Sequence, residues 1–272
     1  MEFKSKDFSN AERVLKIRKL KVGLTGRPDA APVLDEIDLD IRAGETHCLV
    51  GESGSGKSVT SLAVMGLLPR DALEGQGGLI DLEGLDLTAA SANQMRELRA
   101  QRIAMIFQEP MTALNPVLRV GEQIEEVLSM HTDLSGAEAK ARVLDIMDQV
   151  HLPDVERIYR AFPHQLSGGQ RQRIMIAMAL VLDPDLLIAD EPTTALDVTT
   201  QLQILKLIAE MQERHGTAVL FITHDMGVVA EIADTVSVMQ KGQIVEHAPI
   251  RQLLTDPKEP STSKLLTAVR SL

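Results

Sequence analysis

The residues best suited to chemistry lie in a glycine-rich segment in the first quarter of the chain. They are Gly51, Glu52, Ser53, Gly54, Ser55, Gly56, Lys57 and Ser58. The segment, here named the phosphate loop, fits the pattern G-x-x-x-x-G-K-[ST] of a phosphate-binding loop. Its glycines let the backbone curl, so that several N–H groups point inward and form a nest for an anion. Lys57 would place a cation beside the β- and γ-phosphates of a nucleotide, and the Ser58 hydroxyl would ligate Mg²⁺.

Two neighbouring carboxylates, Asp190 and Glu191, follow the apolar residues 186–189. At the end of a strand, Asp190 can hold Mg²⁺ through water, and Glu191 can orient and deprotonate an attacking water molecule. Acidic residues are also common at turns. The pair alone is therefore equally compatible with a buried strand that enters an acidic turn.

A second loop of small residues lies before an apolar helical stretch. It consists of Leu166, Ser167, Gly168, Gly169 and Gln170, and we name it the signature loop. Free N–H groups, a serine hydroxyl and the helix dipole would make it a second anion site. Considered alone, it is also a plausible N-cap turn.

Together with the phosphate loop, the signature loop resembles that of the ATP-binding cassette (ABC) ATPases, whose signature motif it matches at every position. The other motifs of that family are present in their usual order along the chain. Gln108 comes after an apolar strand, Asp197 is the last residue of a four-residue motif at 194–197, and His224 comes after another strand. The resemblance covers nearly the whole chain. It implies that two cassettes sandwich two ATP molecules, with the signature loop of each facing the γ-phosphate bound to the other.

The resemblance also implies roles for single residues. Glu191 would be the catalytic base, Gln108 would sense Mg²⁺ and the attacking water, and His224 would contact the γ-phosphate. Asp197 would reach across the dimer. The metal ligands would be Ser58, Gln108 and Asp190.

One position departs from the family pattern. Many members have an aromatic residue before the phosphate loop that stacks on adenine, whereas residues 20–24 contain none. Leu24 is our assignment for that position, and leucine covers a ring by apolar contact without offering a π-face. We therefore expect weak base selectivity.

Several elements must position these residues. Only four positions of the phosphate-loop pattern are fixed, so the elements on either side of it must distinguish a true motif from a chance match. Residues 46–50 predict a strand before the loop, and residues 57–68 predict a helix after it. Further strands are predicted at 14–24, 37–41, 79–82, 102–107, 186–189, 218–222, 235–239 and 243–246. Further helices are predicted at 91–100, 121–130, 135–150, 169–182, 198–214, 250–254 and 263–269. A capping box of Ser135 and Glu138 should start the third of these helices.

The resulting fold class is α/β: a P-loop NTPase core with an antiparallel β subdomain and a helical insertion, as in ABC ATPases. We predict a single domain over residues 1–272. Its RecA-like core and β subdomain would comprise 14–108 and 166–248, its helical subdomain about 109–165, and its C-terminal helices 249–272.

Composition limits the partners and the location. Net charge is −11 and aromatic residues make up 2% of the chain, so we expect no nucleic-acid partner. A single cysteine, Cys48, permits no internal disulfide and indicates a reducing compartment. The longest apolar run, residues 174–182, is far shorter than the roughly 20 residues of a membrane span, and the N-terminus has no apolar signal-peptide segment. The expected location is cytoplasmic, peripheral on the inner face of the cell membrane.

Residues 107–116 and 162–165 are similar to the oligopeptide and dipeptide importer group of ABC ATPases. Residues 260–266 loosely resemble that group's His-Pro-Tyr-Thr segment, but lack its histidine and tyrosine. In that group the segment after Gln108 receives a helix of the permease. The alternative is a surface loop shaped only by Pro110 and Pro116. A cysteine-containing tail, common in the group, is missing, so we expect a short member or one half of a fused protein.

The predicted function is therefore that of an ATP-hydrolysing subunit of an importer for peptides or related small solutes, with ATP and Mg²⁺ as cofactors. The implied partners are a second ABC ATPase subunit, transmembrane permease subunits and, indirectly, an extracytoplasmic solute-binding protein. Two alternatives remain: a soluble ABC ATPase without a permease, and an importer subunit for a non-peptide solute such as nickel. A P-loop kinase would have no need of the signature loop.

Overall fold

The computed structural model describes residue 8 and residues 10–108, 113–193 and 196–270. These residues form two compact units. Unit 1 lies within Met1–Arg96 and Ala218–Leu272, and unit 2 within Glu97–Thr217. The predicted division into a core and a helical insertion over about 109–165 stays a prediction.

Strands and helices alternate along much of the chain. The strands are β1 (Arg13–Leu24), β2 (Leu34–Arg42), β3 (Thr46–Val50), β4 (Leu73–Leu82), β5 (Leu85–Asp86), β6 (Ile103–Ile106), β7 (Leu186–Asp190), β8 (Ala218–Thr223), β9 (Thr235–Gln240) and β10 (Gln243–Pro249). The helices are α1 (Lys57–Val64), α2 (Ala92–Gln101), α3 (Val120–His131), α4 (Gly136–Gln149), α5 (Val155–Tyr159), α6 (Gly168–Leu180), α7 (Val198–His215), α8 (Met226–Ile232), α9 (Ile250–Thr255) and α10 (Pro260–Arg270). A short 3₁₀ helix covers Pro163–Gln165.

Unit 1 contains an antiparallel sheet of strand order β2-β1-β4-β5. In β2, Ile37, Leu39 and Ile41 are buried and the residues between them are at least partly exposed. This alternation is the period of two on which the predicted strand rested.

The predicted start of β4 at residue 79 is wrong, because the strand begins at Leu73, opposite Leu24 of β1. One glycine inside it marks a close approach of β1. At Gly78, where φ is +95°, a Cβ atom would lie 2.5 Å from the carbonyl oxygen of Lys19. Glycine is needed at that point within the strand, so the Gly77–Gly78 pair does not open it.

Strand β3 pairs in parallel with β8 on one side and with β9 on the other. All five of its residues are buried, as expected for a strand inside a parallel sheet. The helix that follows the phosphate loop, α1, ends at Val64, four residues before its predicted end. The chain turns there, and Gly66 has a left-handed φ of +62°, the usual way to end a helix.

In unit 2, β6 and β7 run parallel, with Ile103 opposite Leu186 and Ile106 opposite Ala189. Helix α4 begins with the predicted capping box. The Ser135 hydroxyl accepts from Glu138 N at 3.4 Å, and the Glu138 carboxylate accepts from Ser135 N at 2.9 Å.

The sequence analysis missed the short helices α5 and α8. Each is started by an aspartate, Asp154 and Asp225, that accepts a backbone N–H of the first turn. Helices of five and seven residues are too short to show a helical period. In the part of the chain that the structure describes, no helix is both long enough and apolar enough to span a membrane.

Candidate functional site

The phosphate loop connects β3 to α1 in unit 1. A Cβ atom at Gly51 would lie 2.2 Å from the carbonyl oxygen of Met239 in β9, so only glycine fits where the loop leaves the strand. Helix α1 starts after Gly56, a residue that has no side chain with which to cap the first N–H groups. Those groups and the helix dipole are therefore directed at whatever occupies the loop.

Lys57 is a buried residue of the phosphate loop. Its ammonium group donates to the carbonyl oxygens of Gly51 at 2.8 Å and Glu52 at 3.0 Å, and the residue is 6% exposed. A cation in such a position is a strong partner for phosphate oxygens, because little water competes for it.

The loop fits a nucleotide's phosphates in two further respects. The Oγ atom of Ser55 is buried and has no hydrogen-bond partner within the described residues, and a phosphate oxygen would supply one. Nothing lies within 4 Å of the position of a Cβ atom at Gly54, so the loop is open there. The predicted Mg²⁺ ligands Ser58, Asp190 and Gln108 offer hydroxyl, carboxylate and amide oxygens, which are the donors that this ion prefers.

Two other predicted residues belong to unit 1. Leu24 is the last residue of β1 and is half-buried. His224 directly follows β8 and is exposed. The next residue, Asp225, fixes the turn, because its Oδ1 accepts from Gly227 N at 2.7 Å.

In unit 2 the structure brings Gln108 and Glu191 together. Gln108 lies two residues after β6 and Glu191 directly after β7, and parallel neighbouring strands end at the same edge of a sheet. The Nε2 atom of Gln108 donates to Oε2 of Glu191 at 3.1 Å. Asp190, the last residue of β7, is 5% exposed. Glu191 has a left-handed φ of +47°, a conformation that costs free energy for a non-glycine residue.

The signature loop starts α6 with a reciprocal cap. The Ser167 hydroxyl accepts from Gln170 N at 3.3 Å, and Ser167 N donates to the Gln170 side chain at 3.0 Å. An open cavity of about 390 Å³ lies against this loop, Arg173 and Asp197. Leu166, the first residue of the loop, is buried. Unit 2 thus offers a small-residue helix start that faces a cavity.

Asp197 caps α7, with Oδ1 accepting from Thr200 N at 3.0 Å and Oδ2 accepting from the Thr200 hydroxyl at 2.7 Å. These hydrogen bonds lower the pKa of Asp197. Two residues of the family motif predicted at 194–197, Thr194 and Ala195, lie outside the described residues.

The segment after Gln108 is described from residue 113 onward, and Glu109, Pro110, Met111 and Thr112 lie outside the described residues. Its described part is held by the buried Gln123 of α3. That side chain accepts from Asn115 N at 2.9 Å and donates to the carbonyl oxygens of Asn115 and Leu118 at 3.0 and 3.1 Å. Between them, Val117 is 74% exposed. An apolar side chain is therefore presented to solvent on a fixed loop.

Sequence reasoning missed one residue beside the phosphate loop. Lys264 of α10 places its ammonium nitrogen 3.1 Å from Oε1 of Glu52. The two residues are 212 positions apart, and no local pattern around Lys264 could have signalled the contact.

Comparisons with known proteins identify relatives of this chain. Residues 34–194 match the family described as ABC transporter. The oligopeptide transport ATP-binding protein AppD of Bacillus subtilis is 48% identical over 256 residues, which cover 94% of this chain and 78% of AppD. The peptidoglycan transport ATP-binding protein YejF of Agrobacterium fabrum is 47% identical over 260 residues, which cover 96% of this chain and 48% of YejF.

A solved structure is similar as well. The ATP-binding cassette MJ0796, described as a dimer in a post-hydrolysis state bound to ADP and Pi, superposes with a TM-score of 0.75 at 27% identity. The superposition covers 87% of this chain and 99% of that one. The similarity extends over both described units.

Proposed function

Because the chain belongs to the ABC transporter family, as an ATP-hydrolysing subunit, we propose that it energises the import of peptides. The observation that carries the solute class is the 48% identity to AppD over 94% of this chain. The chemistry is supported by the phosphate loop, in which a buried lysine lies beside a helix start that has no side-chain cap, an arrangement suited to binding phosphate.

The reaction is phosphoryl transfer to water. In unit 1, the phosphate-loop amides and Lys57 bind the β- and γ-phosphates, and His224 stabilises charge on the γ-phosphate. In unit 2, Glu191 takes a proton from the attacking water, and Gln108 orients that carboxylate through the 3.1 Å hydrogen bond. The water oxygen bonds to the γ-phosphorus as the bond to the β–γ bridging oxygen breaks, which gives ADP and phosphate. Ser58, Asp190 and Gln108 would hold Mg²⁺, which would supply positive charge to neutralise the phosphate oxygens.

A second ABC ATPase subunit, identical or paralogous, completes each site. Its signature loop binds the γ-phosphate from the opposite side, and its Asp197 reaches across the interface. The helix start and cavity at Ser167 and the dimeric state described for MJ0796 support this pairing.

Transmembrane permease subunits dock on the loop that carries Val117, and an extracytoplasmic solute-binding protein acts through them. The neighbouring apolar side chains of Val117 and Leu118, 74% and 37% exposed, and the fixed backbone of their loop support a docking role. The subunit accordingly works at the inner face of the cell membrane.

The substitution Glu191→Gln tests the hydrolytic role. We expect the variant to bind ATP as the unsubstituted protein does and to hydrolyse it about 10²–10⁴-fold more slowly, because an amide cannot accept the proton. Turnover is measured by phosphate release and binding by equilibrium titration. Glu126→Gln, at an exposed position of α3, is the matched control and should hydrolyse normally. Near-normal turnover by Glu191→Gln would remove that residue from the role.

The solute class requires the complete transporter. Permease, binding protein and this subunit are reconstituted in vesicles with ATP on the subunit's side, and uptake of labelled dipeptides, pentapeptides, a peptidoglycan fragment and Ni²⁺ is compared. We expect ATP-dependent uptake of peptides. Uptake of Ni²⁺ alone would contradict the peptide assignment and leave the ATPase assignment intact.

A further inference from the structure

Gln172 is a polar side chain in the interior of unit 2 that no part of the reaction described above uses. It lies one turn into α6, six residues from the beginning of the signature loop, and is 0% exposed. Its Nε2 atom donates to the carbonyl oxygen of Pro192 at 2.6 Å. Its Oε1 atom is also buried, and finds no hydrogen-bond partner within the described part of the chain. An apolar side chain of similar volume would avoid the free-energy cost of an unsatisfied buried oxygen, so the contact that Gln172 does make requires an explanation.

The residue that Gln172 contacts directly follows the proposed base. Pro192 has no N–H group, so its carbonyl is its only backbone hydrogen-bonding group. The residue before a proline is also sterically restricted, yet Glu191 adopts a left-handed φ of +47°. Such a conformation persists only where the surrounding structure holds it.

Glu191 is thereby held from two sides. Gln108 donates to its carboxylate at 3.1 Å, and Gln172 fixes the backbone one residue further on at 2.6 Å. A base must lie within hydrogen-bond reach of the proton that it removes. The direction of the Glu191 side chain depends on the backbone that Gln172 restrains.

The restraint originates on the helix that carries the signature loop. Ser167 caps α6, and Gln172 lies in the same continuous helix five residues later. Helix α6 therefore connects the loop proposed to bind one nucleotide with the base proposed to act on another.

We propose that Gln172 is a positioning residue, which holds Glu191 in its hydrolytic conformation through the Pro192 carbonyl. The inference rests on the proposed function, because it assigns the purpose of the restraint to the base in ATP hydrolysis. Within each subunit, helix α6 would then link the signature loop to the base, because Ser167 caps the helix on which Gln172 lies.

The test compares two substitutions of similar shape. Gln172→Met removes the donor and keeps the volume, and we expect kcat for ATP hydrolysis to fall about tenfold or more, because small misplacements of a reacting group cost up to about 10²-fold. KM should stay within about twofold, since ground-state binding is unaffected. Gln212→Met, at another buried glutamine of unit 2, is the matched control, and we expect its kcat to remain normal even if its melting temperature falls.

The pH dependence of kcat in Gln172→Glu distinguishes a positioning role from a purely structural one. Burial raises the pKa of a carboxyl group. A protonated carboxyl can donate to the Pro192 carbonyl, whereas a carboxylate cannot. Relative to the unsubstituted protein, we therefore expect the kcat of Gln172→Glu to rise several-fold as the pH is lowered from 8.5 to 6.

Three results would overturn the proposal. They are a normal kcat in folded Gln172→Met, an equal loss of kcat in Gln212→Met, and a kcat ratio for Gln172→Glu that does not change with pH. If Gln172→Met does not fold, the pH series on Gln172→Glu, purified at pH 6, decides the question. Full activity of Glu191→Gln would instead contradict the proposed function, so the two failures are distinguishable.

Discussion

At the scale of single residues, the buried ammonium group of Lys57 has the clearest consequence for binding. Its two carbonyl contacts hold it beside the backbone amides of the phosphate loop. The group is thus pre-positioned for phosphate oxygens before a nucleotide arrives, and its side chain has little freedom left to lose on binding.

We expect Lys57→Met to raise the dissociation constant for ATP about 10- to 100-fold, because a charge-assisted hydrogen bond contributes about 1.5–3 kcal/mol. Titration with a fluorescent ATP analogue measures the change. The exposed Lys206 of α7 provides a control of equal charge change, Lys206→Met. An unchanged dissociation constant for Lys57→Met would show that the loop amides alone bind the phosphates.

Leu24 leads to a second expectation at this scale. It offers apolar contact without a π-face, so ATP and GTP should bind with dissociation constants within about threefold of each other. Leu24→Phe should tighten the binding of both nucleotides about fivefold or more, because base stacking contributes about 1–3 kcal/mol. Strong discrimination against GTP by the unsubstituted protein, in competition titrations, would refute the assignment.

At the scale of elements, β3 can be probed through Cys48, the only cysteine of the chain. The residue is 0% exposed, and burial, followed by the nearby charge of Asp234, raises the pKa of its thiol. Since the thiolate is the reactive form, the strand must open before a reagent can modify the thiol.

We expect Cys48 to react with a disulfide reagent only as fast as β3 opens, and rapidly in denaturant. ATP at 100 times its dissociation constant should slow the reaction about 100-fold, if opening also disrupts the adjoining phosphate loop. Absorbance of the released thiol measures the rate, with Lys57→Met as a variant that should lose the protection. Fast labelling of the native protein would contradict the burial of β3.

Elements with a clear period and distinct end signals were predictable. The alternation in β2, the capping box of α4 and the apolar runs of β3 and β7 lie within short windows of sequence, and each was found close to its predicted place. The ends that depend on distant neighbours were not predictable. Strand β4 extends to Leu73 because β1 lies opposite, and no local signal reveals that pairing.

The candidate site shows the same contrast. Motif residues could be selected because each motif is contiguous and its chemistry belongs to its residue types. The contact of Gln172 with Pro192 joins residues 20 positions apart, and that of Lys264 with Glu52 joins residues 212 positions apart. Contacts of this kind arise from packing, which the sequence pattern does not encode locally.

At the scale of the whole molecule, the proposed function requires two copies or paralogues around the nucleotide. We expect Glu191→Gln to form dimers with Mg·ATP, because binding without hydrolysis keeps the γ-phosphate in place between the phosphate loop and the partner's signature loop. Light scattering after size exclusion measures the mass, and ADP should give monomers. Ser167→Arg, which places a bulky side chain in the signature loop, should prevent the association.

A strictly monomeric Glu191→Gln at high concentration, with Mg·ATP and its permease present, would contradict the paired arrangement.

The three hydrogen bonds of Gln123 have a consequence for the coupling of ATP hydrolysis to transport. They fix the backbone on both sides of Val117 before any partner arrives, so the docking proposed there would lose little conformational entropy. A stiff contact also transmits displacement without being deformed by it. The number of solute molecules moved per ATP consumed should therefore depend on this one glutamine amide, even though it lies outside the catalytic machinery.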